Sequence, residues 1–325
     1  MDKLIEVKDL SKYFETKDFL GRSKHVTKAV DGVTLTIHQG ETFGLVGESG
    51  CGKSTLGRTM IRMYEPTEGE IRYNGTDITK LKGKELTEFH KKMQVIFQDP
   101  YSSLDPNLMV RDIIAEPIRV FEDATEEQID ARVAELLEAV GLSKEDMYKY
   151  PHEFSGGQRQ RVGIARALSV NPEFVLCDEP LSALDVSIQA QVVRLLEELQ
   201  EKYGLTYLFV AHDLNMVHHI SDQIGVMYLG QMVEVGESDA VYFEPKHPYT
   251  KALLRAIPHI EKDQILNLEE NVIEGDIPSP FHVPSGCHFH PRCPYATERC
   301  RSEQPRLQDV GDGRMVACFA ATETA

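Results

Sequence analysis

The stretch Gly47-Glu48-Ser49-Gly50-Cys51-Gly52-Lys53-Ser54-Thr55 decides how this chain folds. It has the spacing G-x-x-x-x-G-K-[ST]. The apolar run Thr42 to Val46 precedes it, and Leu56 to Met63, able to continue as a helix, follows it. Glycines at these positions let successive backbone N–H groups turn inward onto phosphate oxygens, and a helix N-terminus adds a positive field at the same place. Lys53 is placed to reach the β- and γ-phosphates of a nucleotide, and Ser54 to offer its hydroxyl to Mg²⁺. Cys51 fills a variable position, with nothing near it in sequence that marks a nucleophile.

A second stretch, Phe174-Val175-Leu176-Cys177-Asp178-Glu179, is an apolar strand that ends in two carboxylates. Asp178, at the strand's carboxyl edge, suits a Mg²⁺-holding aspartate, and Glu179 is placed to polarise an attacking water. Further short β-branched runs lie at Leu4 to Val7, Val33 to Ile37, Val95 to Phe97, Tyr207 to Ala211 and Ile224 to Met227. Most are too continuously apolar to face water, as expected of an α/β sheet covered on both faces. Between Gln98 and Pro172 the pattern turns helical. Thr125 to Gln128 reads as a capping box, and Ile129, Val133, Leu136, Leu137 and Val140 form one apolar stripe that Gly141 ends. The strongly acidic opposite face reads as a solvated one.

Composition removes other function classes. A chain of 325 residues exceeds the roughly 250–300 at which a single core stops growing, which predicts one large domain with an appendage. With 35 Lys+Arg against 52 Asp+Glu the net charge is −17, which argues against a nucleic-acid binder and against adsorption to anionic lipid. No apolar run approaches the ~18 residues of a membrane span, and Met1 to Lys8 lack the layout of a signal peptide. The chain is therefore expected in the cytosol, with its cysteines reduced. From about Glu261 onward Pro and Gly become frequent, and this loop-rich stretch holds four of the six cysteines.

Phe154-Ser155-Gly156-Gly157-Gln158-Arg159-Gln160-Arg161, lying between the two nucleotide motifs, resembles the signature motif of the ATP-binding cassette (ABC) family. That resemblance implies an α/β P-loop NTPase cassette: a mixed sheet with a RecA-like core, an antiparallel β subdomain, and a helical subdomain at about 99–165. The cassette would cover 1–260, and a loop-rich C-terminal extension 261–325. It implies an ATPase binding ATP and Mg²⁺ through Gly47 to Thr55, with Mg²⁺ held by Ser54, Gln98 and Asp178, and hydrolysis served by Glu179, His212 and Gln98. Gln98 resembles the Q-loop glutamine, Ser182-Ala183-Leu184-Asp185 the D-loop, and His212 the switch histidine. Phe14 stands where the family stacks an aromatic on adenine, with Tyr13 the alternate. In this family the signature faces ATP held by a second cassette, so Ser155, Gly156, Gly157 and Gln158 would serve the partner's nucleotide. Ser155 can also cap the helix that follows.

Relatives that carry a coiled coil or two cassettes fit poorly, because 155 − 54 = 101 residues separate Ser54 from Ser155 and there is one motif set. The segments Gln98 to Pro106, His247-Pro248-Tyr249-Thr250-Lys251-Ala252-Leu253-Leu254, Gly275 to Pro280 and Gly286 to Pro294 resemble the oligopeptide/dipeptide importer branch. An insertion at residues 20–30 resembles the second of that branch's two ATPase subunits. The branch implies a peripheral protein at the cytoplasmic side of the membrane. Its expected partners are a paralogous ATPase subunit, two membrane permease subunits and, indirectly, an extracytoplasmic solute-binding protein. Peptides are the expected solute, with nickel and oligosaccharides as alternatives. A regulatory cassette protein with a metal- or redox-sensing tail is the competing reading from another class.

Cys287, Cys293, Cys300 and Cys318 offer four soft ligands. Such a set suits an iron–sulfur cluster or Zn²⁺, or represents incidental thiols; the short C-x2-C knuckles usual for zinc are missing. Arg292, Arg299, Arg301 and Arg306 are expected to lower the thiol pKa values. Resemblance to peptide-importer ATPases favours a [4Fe–4S] centre, with His282, His288 and His290 as less favoured ligands. Nothing in the sequence connects this tail to phosphoryl transfer.

Overall fold

Three apolar runs separated by helical segments form a parallel sheet because each helix returns the chain to the same edge. Met93–Ile96 pairs with Phe174–Asp178, which pairs with Thr206–Val210, in the registers Met93↔Phe174 and Phe174↔Thr206. The second and third of these strands are buried at every residue, as the unbroken apolar sequence requires. In a computed structural model that describes residues 2–17, 23–256 and 278–322, these strands belong to one of two units, built mainly from residues 80–211. The same unit holds three mutually packed helices, Val110–Phe121, Glu126–Ala139 and Gly156–Leu168. Their buried faces are Ile113, Ile114 and Ile118, then Ile129, Val133, Leu136 and Leu137, then Val162, Ile164 and Ala165. The Thr125 capping box forms in both directions, and Gly141 leaves the helix at φ +72°.

The other unit comprises residues 5–37, 43–79 and 212–325. Lys3–Lys17 pairs antiparallel with Glu68–Tyr73, from Ile5↔Tyr73 to Lys8↔Glu70, in a four-stranded sheet that also contains Ser23–His38 and Thr76–Asp77. A second, mixed group begins with Thr42–Val46, parallel to Gln223–Tyr228, which pairs antiparallel with Gln231–Glu237. The C-terminal segment completes it: Met315–Val316 pairs with Gln231–Glu237 and with Gln308–Asp309. Thus the extension, expected to be loop-rich, contributes two short strands to this group.

The expected strands are all present, and two run well beyond their apolar centres, to Lys3–Lys17 and Ser23–His38. Glu68–Tyr73 and Gln231–Glu237 were not expected from the sequence. The first has only Ile71 and Tyr73 buried, too little for an apolar run to register. The boundary expected near residue 260 lies outside the described residues, as do 275–277 of the Gly275 to Pro280 segment and 20–22 of the expected insertion. Among the described residues no helix is long and apolar enough to cross a membrane.

Candidate functional site

The phosphate loop follows a strand, Thr42–Val46, in which every residue is buried. Gly47 has φ +152°, and a Cβ there would meet the Met227 carbonyl oxygen at 2.2 Å; at Gly52, φ +110°, a Cβ would meet the Ala29 carbonyl oxygen at 2.1 Å. No side chain other than hydrogen fits these positions, so the glycine spacing is imposed by backbone approach as well as by conformation. The helix starts at Lys53 and ends at Met60, earlier than the expected 56–63. Gly52 caps it without any side-chain hydrogen bond, and the positive end of the helix dipole there favours an anion. The buried Lys53 ammonium donates to the carbonyls of Gly47 at 2.8 Å and Glu48 at 3.2 Å. Ser54 and Thr55 are half-buried, while Ser49 and Gly50 are exposed. Cys51 is buried, which raises its thiol pKa, in keeping with a bystander.

Glu48 is held on every polar group it has. Its N–H donates to the Tyr249 hydroxyl at 2.9 Å, its carbonyl accepts from Lys53, and both carboxylate oxygens pair with Arg292, at 2.8 and 2.9 Å. The Arg292 side chain is 5 % exposed, and the carboxylate contacts hold its pKa above the ordinary arginine value. Tyr249 belongs to the helix Pro248–Arg255, capped by His247, whose Nδ1 accepts the Tyr249 N–H at 3.0 Å. Burial keeps His247 neutral, its pKa pushed down to about 3. Phe289, buried just ahead of Arg292, packs on Tyr228 and Tyr249 with ring centroids 5.3 Å away in each case. The tail therefore reaches the phosphate loop, contrary to the expectation that nothing connects the two. From the sequence, His247 to Leu254 and Gly286 to Pro294 are only branch markers. A lone arginine 244 positions from its partner carries no local signal.

In the other unit, Gln98 donates its amide to Glu179 Oε2 at 2.7 Å, which brings together two of the expected catalytic residues. Asp178 ends its strand buried, while Glu179 turns away at φ +49° with its N–H on the Val210 carbonyl. A left-handed glutamate costs about 1 kcal/mol, a strain of the kind that gathers at functional positions. Ser155 caps the helix Gly156–Leu168 in a reciprocal box with Gln158, whose side-chain oxygen accepts the Ser155 N–H at 3.0 Å. Tyr101, not singled out from the sequence, stacks on the Arg159 guanidinium at 4.0 Å. A Cβ on Gly157 would lie 2.7 Å from Ile188, in the helix Val186–Tyr203 that Asp185 precedes.

His212 is exposed, one residue before Asp213, whose carboxylate accepts the Asn215 N–H to cap the next helix. Tyr13 commits its hydroxyl to Asp31 at 2.5 Å, whereas Phe14 is 39 % exposed, with Tyr64 edge-on at 5.6 Å and the Lys12 ammonium over its ring at 5.0 Å.

Cys287, Cys293, Cys300 and Cys318 line one cavity of about 240 Å³ together with Phe289, His290 and Phe319. Among the described residues no three His, Cys, Asp or Glu stand close enough to hold a metal ion. Burial pushes Cys287 up to about 11 and also raises Cys293 and Cys318, the opposite of the expected lowering by nearby arginines. Burial is the largest cause for all three thiols, and three of the four arginines face carboxylates instead: Arg292 faces Glu48, Arg299 faces Glu303 and the Phe319 ring, and Arg301 faces Glu298. His288 and His290 direct Nδ1 at the carbonyls of Leu229 and Cys287.

Comparison with known proteins agrees with this arrangement. The ABC transporter family matches residues 30–182, and the oligopeptide/dipeptide transporter C-terminal region matches 233–300. The putative oligopeptide transport ATP-binding protein YkfD of Bacillus subtilis is 55 % identical over 97 % of this chain and 94 % of its own length. The oligopeptide transport ATP-binding protein OppF of Salmonella typhimurium is 48 % identical over 94 % of this chain and 92 % of its own. Among solved structures, the ATP-binding cassette MJ0796, a dimer bound to ADP and phosphate, superposes with a TM-score of 0.65 at 29 % identity, covering 72 % of this chain and 99 % of that one. The cbiO1 cassette of Clostridium perfringens does so with a TM-score of 0.65 at 27 % identity, over 75 % of this chain and 92 % of that one. On these matches, the chain belongs to the ATP-binding ATPase subunits of ABC transporters, in their oligopeptide/dipeptide branch.

Proposed function

We propose that this chain hydrolyses ATP to power uptake of peptides through a pair of membrane permease subunits. The observation that carries the reading is the union, in one chain, of an ABC cassette with the C-terminal region of oligopeptide/dipeptide transporters. In this reading ATP lies along Gly47 to Thr55, its phosphates on the N–H groups at the start of the helix, with Lys53 released from the Gly47 and Glu48 carbonyls to meet them. Phe14 stacks on the adenine. Ser54, Gln98 and Asp178 would hold Mg²⁺, which when bound neutralises charge on the phosphates. Glu179, oriented by Gln98, accepts a proton from the attacking water, and His212 contacts the γ-phosphate. Ser155, Gly156, Gly157 and Gln158 close over ATP held by a second, paralogous cassette, and Asp185 lies at the junction of the two.

The subunit docks peripherally at the cytoplasmic face of the membrane, through its helical segment between Gln98 and Leu168. An extracytoplasmic binding protein delivers the peptide. Residues 1–260 act as the cassette and 261–325 as the extension. Cys287, Cys293, Cys300 and Cys318 would hold a [4Fe–4S] centre, with Zn²⁺ the competing occupant. The thiols share one cavity and their donor type suits either group, but in this structure no three of them stand close enough to hold a metal ion, so binding would have to draw them together. When bound, it would cross-link four segments of the extension. Iron, sulfide and zinc analysis of chain purified without oxygen decides between them.

Purification of the tagged chain from membranes tests the main reading. Two permease chains and a second cassette should accompany it, and in proteoliposomes peptide with its binding protein should stimulate phosphate release. Absence of permeases, or stimulation by a non-peptide solute alone, would refute it.

A further inference from the structure

The phosphate loop is fixed at Glu48 by residues that a cassette's nucleotide motifs do not include. Arg292 and the Glu48 carboxylate make two parallel charge-assisted hydrogen bonds, at 2.8 and 2.9 Å, with the arginine 5 % and the glutamate 19 % exposed. Such fork-to-fork pairing fixes direction as well as distance. The guanidinium is itself preset. Arg292 ends the short helical turn His290–Arg292, its backbone N–H bonded to the Phe289 carbonyl at 3.0 Å, and Phe289 is buried between Tyr228 and Tyr249. Tyr228 and Tyr249 also touch the clamp directly. Tyr228 offers its hydroxyl oxygen to Arg292 at 3.4 Å, and Tyr249 accepts the Glu48 N–H.

We propose that Arg292 is a positioning residue for ATP: through Glu48 it holds the phosphate loop open in the form that receives nucleotide phosphates. The proposal rests on the reading of Gly47 to Thr55 as the ATP site. Glu48 lies between Gly47, whose backbone packs against the Met227 carbonyl, and the exposed Ser49 and Gly50 at the crest of the loop. Its carbonyl is also one of the two that hold the Lys53 ammonium. A freed Glu48 side chain leaves the loop to sample other forms, and a negative charge no longer neutralised then stands beside an anion site. If the competent form falls to between about a tenth and a hundredth of the population, apparent affinity weakens by the same factor.

The test is equilibrium binding of a fluorescent ATP analogue to the full chain, with steady-state phosphate release alongside. Arg292→Met should weaken binding about 10- to 100-fold, with the loss falling on KM for ATP rather than on kcat, and Arg292→Lys should recover part of it. Glu48→Gln should also weaken binding, and the Arg292→Met/Glu48→Gln double variant should bind no worse than the weaker single one. Wild-type affinity in Arg292→Met, or losses that simply add in the double variant, would overturn the proposal. Should Arg292→Met fail to fold, wild-type affinity in both Arg292→Lys and Glu48→Gln would overturn it equally. Lys53→Ala serves as the control: if it binds nucleotide like wild type, the reading of the loop as the ATP site fails, independently of Arg292.

Discussion

Replacing Glu179 by glutamine should separate catalysis from folding and from binding, because three hydrogen bonds at Glu179 survive the loss of its charge. The Gln98 amide donates to Oε2 at 2.7 Å, the Glu179 N–H donates to the Val210 carbonyl at 3.0 Å, and the Glu179 carbonyl accepts the Ser182 hydroxyl at 3.1 Å. Glutamine has the same shape and keeps a side-chain oxygen for Gln98, so one charge-assisted hydrogen bond becomes a neutral one, a loss of about 1 kcal/mol. In the proposed mechanism the attacking water, by contrast, loses its proton acceptor altogether. General-base catalysis contributes roughly 10²- to 10⁴-fold, equivalent to about 2.7–5.4 kcal/mol of barrier. The barrier therefore rises several times further than stability falls. Phosphate release at saturating ATP should drop by at least about a hundredfold while nucleotide affinity and melting temperature stay near wild type. Turnover above about a tenth of wild type, or loss of binding in step with loss of turnover, would show that Glu179 is not the base.

Three further predictions follow from the loop and its supports. Gly52→Ala should abolish ATP binding, because its Cβ would stand 2.1 Å from the Ala29 carbonyl oxygen, whereas Gly50→Ala meets nothing within 4 Å and should retain measurable binding; equal affinities would contradict this. Tyr249→Phe preserves the packed ring but strands the Glu48 N–H, so urea unfolding should show a loss of about 1–3 kcal/mol, and an unchanged midpoint would mean that this bond contributes nothing. His247 is buried neutral with its pKa pushed down to about 3, so below its ordinary value near 6.5 the unfolded chain binds a proton that the folded chain does not. Its contribution to stability is complete above about pH 6.5 and is lost toward pH 3 at up to about 1.4 kcal/mol per unit. His247→Asn, which keeps an oxygen for the Tyr249 N–H, should remove that slope when unfolding at pH 5, 6 and 7 is compared with wild type, and parallel profiles would refute it.

The two nucleotide motifs were legible because their chemistry is local. A buried strand, a turn in which glycine is the only residue that fits, and a helix start are all specified by adjacent residues, and the structure places Thr42–Val46, Gly47, Gly52 and Lys53 accordingly. The capping boxes at Thr125 and Ser155 were readable for the same reason, since each joins residues three apart. Glu68–Tyr73 and Gln231–Glu237 are not legible in the sequence. The first buries only two side chains, and the second draws its pairing from Gln223–Tyr228 and from Met315–Val316, far along the chain.

Sequence alone determined the family and the glycine-rich loop between strand and helix, and it singles out Glu179 as the candidate base, since each depends on residue type at short spacing. Only the tertiary structure decided what the tail does with its charges. Four arginines near four cysteines suggested acidified thiols; instead burial raises three of those thiols, while Arg292 is drawn 244 residues back to Glu48. Which carboxylate an arginine meets is set by where the surrounding apolar groups pack, here Phe289 against Tyr228 and Tyr249. Such packing is the outcome of long-range burial, which no short window of sequence encodes.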